Sequence, residues 1–130
     1  MSHLPLTATD QELIEFVDGW VRLMEAEDYD AAFSYTSQSR HMRWTPRLLR
    51  DVIKAYNESL PTQRVTLEGL PTDITQRKDV HWYPSPRPVG DGYIWYDLNI
   101  DGFASDLTAT FDILKASDGF LIVLDDIHVM

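Results

Sequence analysis

Tyr93-Ile94-Trp95-Tyr96-Asp97-Leu98-Asn99-Ile100 runs into Asp101-Gly102, and the pattern of this stretch governs how the rest of the chain is arranged. Ile94, Tyr96, Leu98 and Ile100 recur at every second residue, the period of a strand with one buried face. Asp-Gly is among the strongest short-range hairpin signals. Residues 105–115 repeat the alternation through Leu107, Ala109, Phe111 and Ile113, and Asp118-Gly119 then leads into a last apolar run, 120–130. A tight turn at Asp101-Gly102 sets Tyr96 opposite Leu107 and Ile94 opposite Ala109, so the two apolar faces coincide. The C-terminal third predicts a meander of three long antiparallel strands.

Upstream the pattern is helical. Thr9-Asp10-Gln11-Glu12 is a capping box, and Leu13, Val17, Trp20 and Met24 form the apolar stripe of a helix of about four turns. Glu27-Asp28 opens a second, shorter helix through Tyr29-Asp30-Ala31-Ala32-Phe33-Ser34-Tyr35, its acids suited to the positive end of the helix dipole. Thr45-Pro46 starts a third, with Leu48, Leu49, Val52, Ile53 and Tyr56 inward and Leu60-Pro61 as its stop. Trp44 precedes that cap, where a hydrophobic staple to Leu49 is expected. Residues 64–68 predict a short strand and 73–75 another. Pro84, Pro86 and Pro88 exclude a central strand from 77–92, which predicts a loop or irregular strand. Residues 1–8 read as a loosely held arm and 9–130 as one domain, since no repeat or linker divides them.

Composition narrows the chemistry. The 130 residues contain no cysteine, which excludes thiolate chemistry and disulfides. No apolar run is long enough to span a membrane, and Met1-Ser2-His3-Leu4-Pro5 lacks the features of a secretion signal, so a cytoplasmic protein is expected. Asn57-Glu58-Ser59 fits a glycosylation sequon, read as chance without secretion. A formal charge of −10 repels phosphate backbones and anionic lipid, so neither nucleic acid nor membrane is an expected partner, while a basic protein is allowed. His3, His41, His81 and His128 show no metal-ligand spacing, and no phosphate loop, nucleophile elbow or dinucleotide fingerprint occurs. Neither metal nor cofactor is expected.

Three helices followed by long antiparallel strands make an α+β plan. The order resembles the NTF2-like (nuclear transport factor 2-like, cystatin-like cone) superfamily. The capped first helix running into Glu27-Asp28-Tyr29-Asp30-Ala31-Ala32-Phe33 and the final hairpins carry the likeness. The resemblance implies a curved sheet wrapped around three helices, with a cavity at its wide end. Its members include isomerase-, cyclase- and dehydratase-like enzymes, association domains and immunity proteins, so the fold selects no function. The cavity it implies is an apolar pocket for a small ligand, with Trp20, Trp44, Tyr56, Tyr96 and Phe111 as candidate lining. By its place in the first stripe Trp20 reads as core.

The last strand carries the sharpest local question. Continuing the inward phase of Phe120, Ile122 and Leu124 points Asp126 and His128 into the pocket, where they are candidate catalytic residues for proton transfer. A β-bulge at Asp125-Asp126 instead turns Ile127 and Val129 inward and His128 outward, leaving no buried charge. Asp97 and Asp112 fall on the opposite, solvated face. Tyr93, Trp95, Leu121 and Val123 make that face half-apolar, which predicts a homodimer contact or an overlying loop, with His81-Trp82-Tyr83 as the loop. Arg40, Arg43, Arg47, Arg50 and Lys54 are either an anion patch or local neutralisation of acids. Three functions stay open: a ligand-binding or association domain, a small cofactor-free enzyme using Asp126 and His128, and an acidic immunity-type protein that binds a basic toxin.

Overall fold

The computed structural model describes residues 4–38, 42–57, 61–87 and 90–129. Met1, Ser2, His3, Arg40, His41, Glu58, Ser59, Leu60 and Pro88, all named above, lie outside the described residues, as does Met130. Helix α1 spans Asp10–Glu25, α2 Tyr29–Tyr35 and α3 Pro46–Lys54. Each begins at a side-chain cap. Thr9 and Glu12 exchange the two bonds of the capping box, Asp28 Oδ1 accepts from the Ala31 N–H at 3.1 Å, and Thr45 Oγ1 accepts from the Leu48 N–H at 3.0 Å.

Five strands follow, β1 Val65–Thr66, β2 Lys78–Arg87, β3 Gly90–Ile100, β4 Phe103–Ala116 and β5 Gly119–Val129. They form one open antiparallel sheet in the order β1-β3-β4-β5, and β2 shares the same edge of β3 as β1. Residues 73–75, expected as a strand, form a bend at 73–74 and no strand. Residues 78–87, expected as loop or irregular strand, are an edge strand whose ladder skips from Trp82↔Gly92 to Arg87↔Gly90. The skipped stretch holds Pro84 and Pro86, so their missing N–H groups cost the ladder nothing.

Asp101 and Gly102 both adopt positive φ, 50° and 83°, as a two-residue hairpin turn that follows the strand twist requires. The register beyond it differs from the expected one: Tyr96 faces Ala109 and Ile94 faces Phe111. Two extra residues lie in β4 between the Asn99↔Ala104 and Asp97↔Thr108 pairs. Ser105 holds this irregularity, donating its hydroxyl to the Leu98 carbonyl at 2.6 Å and accepting from the Leu107 N–H at 3.3 Å. A shift of two preserves parity, so the apolar faces still agree.

The last strand contains the bulge. Thr110 pairs with Asp126 but Phe111 pairs with Leu124, leaving Asp125 as the extra residue. Ile127 is buried, Asp126 is exposed and His128 faces outward with Thr108. The inward catalytic pair is therefore not formed. The bulge avoids burying a carboxylate and an imidazole, and its freed carbonyl is not wasted. Trp44, a core residue like Leu49, donates its indole N–H to the Asp125 carbonyl at 3.3 Å. Trp44→Phe should lower stability by about 1 kcal/mol in urea denaturation, because that carbonyl loses its donor. An unchanged midpoint would remove this role.

The core fills the space between helices and sheet. Trp20 meets Phe111 edge-on, with ring centroids 5.2 Å apart. Tyr96, buried beside them, donates its hydroxyl to Asp18 Oδ1 at 2.5 Å, and Lys78 Nζ sits 4.7 Å over the Tyr96 ring. Burial first, and then the Asp18 hydrogen bond and charge, push the Tyr96 hydroxyl far above its ordinary pKa. Trp20, Trp44, Tyr96 and Phe111 are buried in this core, and Tyr56 packs partly buried against it.

Candidate functional site

The sheet has a second face, and it is built differently from the core. Pairing places Asp79, Trp95, Thr110 and Asp126 in one row across β2 to β5, and His81, Tyr93, Asp112 and Val123 in the next. Inner neighbours such as Ile94, Phe111 and Ile113 are fully buried, while Tyr93, Trp95, Thr110, Asp112, Leu114 and Leu121 are only half-buried. Among the described residues no second layer lies over these side chains.

The aromatic groups on this face are held in place. His81 stacks on Tyr93 at 4.7 Å, Tyr83 lies 6.0 Å from Tyr93, and the Arg87 guanidinium sits 4.5 Å over Tyr83. The Arg77 guanidinium covers Trp95 at 4.6 Å, and His128 meets the Trp95 edge at right angles. Beneath them is Asp97, expected as a solvated residue and found buried. Its Oδ1 accepts from Trp95 Nε1 and Thr108 Oγ1, each at 2.8 Å, and its Oδ2 accepts from the Arg77 N–H at 2.9 Å. A carboxylate with three donors tolerates burial that an unpaired one would not. It fixes β2 to β3 and orients the Trp95 ring.

Asp126 and His128 do come together, with Asp126 Oδ2 3.2 Å from His128 Nδ1, but on this outer face. The pair lies against Trp95 and lacks the apolar enclosure that proton transfer in a pocket would need. Val123, expected as part of the half-apolar face, is already buried within the single chain, next to the Ser37 N–H that bonds to the Ile122 carbonyl at 2.8 Å. His81 and Tyr83 belong to the face as strand residues and do not form a loop over it. Arg77, His81, Tyr83 and Arg87 alternate at period two or four, a strand signal masked by the prolines.

The cationic cluster resolves toward neutralisation. Arg47 and Arg50 each approach Asp51, at 3.6 and 3.3 Å, and buried Lys54 pairs with Glu27 at 3.3 Å and donates to the Gln63 carbonyl at 2.6 Å. The adjoining cleft of about 460 Å³ sets Glu27, Asp28, Asp30 and Asp51 against Arg47 and Arg50. Among the described residues no group of three His, Asp or Glu side chains is placed to hold a metal ion, and no helix is long and apolar enough to cross a membrane.

Fold and face together define an α+β domain with three helices on one side of an open antiparallel sheet and an ordered aromatic array on the other. The chain belongs to the family described as domain of unknown function DUF7668, which matches residues 21–130. No curated protein and no solved structure matches the chain.

Proposed function

We propose that the chain is an NTF2-like association domain that pairs with a second copy of itself through the outer face of its sheet. The observation that carries this is the half-exposed array of Tyr83, Tyr93, Trp95 and Leu121, with Trp95 tied down by the Asp97 hub. Rigid aromatic side chains supply contact area at small entropic cost on binding. A single-layered sheet with apolar groups on both faces gains by covering the second one.

Charge favours a second copy over an unrelated partner. Arg77, paired there with Asp79, and Arg87 lie on the β2 side of the face, and Asp112, Asp125 and Asp126 lie toward β5. A two-fold axis running along the strands between two stacked faces sets the β2 side of each copy over the β5 side of the other. The four strands β2 to β5 offer roughly 500 Å² per copy in projection. The relief of the rings raises this toward the about 800 Å² per partner of a stable pair.

Sedimentation velocity tests the reading. The expected species has twice the 15.0 kDa chain mass. Thr110 lies at the centre of the face, so Thr110→Glu sets two like charges against each other and should weaken pairing about a hundredfold with an unchanged circular dichroism spectrum. A monomeric parent chain, or a variant that pairs as well as the parent, would overturn it.

A further inference from the structure

We infer that a cleft at the tip of the β3–β4 hairpin is a docking site, separate from the outer face, for a basic protein segment that presents a lysine or arginine beside an apolar side chain. Its walls come from Tyr56 and Asn57 after α3, from Gln63, from residues 72–74, and from the hairpin between Ile100 and Asp106. The cleft is open to solvent and has a volume of about 440 Å³, enough for one long side chain and its neighbour.

Two independent features give the cleft its chemistry. The first is apolar. Phe103, 52% exposed, lines the cleft, and Leu70, 64% exposed, lies beside it. They are fixed beside each other, because Leu70 donates to the Gly102 carbonyl and accepts from the Ala104 N–H, both at 2.9 Å. A pair exposed on a bonded backbone is a formed patch, and formed apolar patches mark interaction sites.

The second is electrostatic. Asp73, Asp101 and Asp106 line the cleft, and among the described residues no lysine or arginine does. Among the described residues none of the three lies in an ion pair. Asp101 Oδ1 is committed to the Arg64 N–H at 3.0 Å, and Asp106 Oδ1 accepts from the Tyr56 hydroxyl. Each keeps a second oxygen for a guest, and Asp73 keeps both. The hydroxyl of Tyr56 donates to Asp106, which ties the two lining residues together. Uncompensated carboxylates beside apolar rings complement a cation on an apolar stem, the amphipathic form of lysine and arginine. A second copy is a poorer match in charge, since it brings the same formal charge of −10.

The test is fluorescence anisotropy at low salt with a labelled synthetic peptide that alternates lysine and leucine. Asp73→Asn with Asp106→Asn should weaken binding about tenfold, whereas the exposed pair Glu15→Gln with Asp30→Asn should change it by less than about twofold. Both double variants carry the same net charge, so the comparison separates the cleft from the general field. Phe103→Ser, at a half-exposed position outside the core, should also weaken binding while leaving the thermal midpoint and sedimentation unchanged. Equal weakening by the two double variants, or no binding by the parent chain, would overturn the inference. So would loss of self-pairing in Phe103→Ser, which would make a second copy the occupant. Discrimination between the double variants in a monomeric protein would sustain this site and sink the dimer.

Discussion

Phe111→Ala lowers stability by about 3–5 kcal/mol and the melting temperature by roughly 10 °C or more, because it empties the centre of the core. Phe111 is fully buried and takes the edge of Trp20 at 5.2 Å, so truncation loses both the buried area and an oriented ring contact. Domains of this size hold only about 5–15 kcal/mol in total, so the loss is a large share. Urea denaturation measures it, with an unchanged slope if the unfolded state is unaffected. The result also bears on ligand binding. If Phe111 walled a ligand pocket, its removal would enlarge a space that is already open, and a loss below about 1 kcal/mol would support that reading over a filled core.

Asp97→Asn is expected to cost about 2–3 kcal/mol although it changes hardly any volume. The carboxylate accepts from Trp95, Thr108 and the Arg77 backbone, and Thr108 is fully buried. An amide has one oxygen. If it serves Trp95 and Thr108, its NH2 group meets the Arg77 N–H and two donors face each other. Chemical denaturation followed by tryptophan fluorescence should show the loss, and amide exchange should speed up at the start of β2. A neutral effect would mean that Asp97 is not the hub of the outer face. Combining the change with Thr108→Val should give less than the sum of the two losses, as expected for groups within one network.

Local chemistry made much of the architecture legible. Thr9-Glu12, Asp28 and Thr45-Pro46 placed three helix starts, because caps act over three residues and need no tertiary context. Asp101-Gly102 placed a hairpin for the same reason. What stayed hidden depends on partners distant in sequence. A two-residue slip at Ser105 leaves alternation unchanged, so period alone cannot report it. The prolines of β2 exclude a central strand and are compatible with an edge, and only the pairing with β3 chooses. On β5 the alternation permitted both an inward Asp126 and His128 and a bulge, and the donor that favours the bulge, Trp44, is 81 residues away. That Trp20, Tyr96 and Phe111 share one core is likewise encoded by no single strand pattern.

The two flanks of the sheet have a further effect on how the molecule behaves in concentrated solution. Along β5, Leu4 exchanges two backbone bonds with Phe120, Ser37 reaches the Ile122 carbonyl, the Trp44 indole reaches the Asp125 carbonyl, and the Asp126 carboxylate accepts from the Ile127 N–H. At the opposite margin, β2 breaks its own ladder across the two prolines. Exposed strand margins are the templates on which chains add to one another and grow into amyloid. Here the β5 template is occupied and the β2 margin carries two prolines, so a chain adding at β5 must first displace Leu4 and its neighbours.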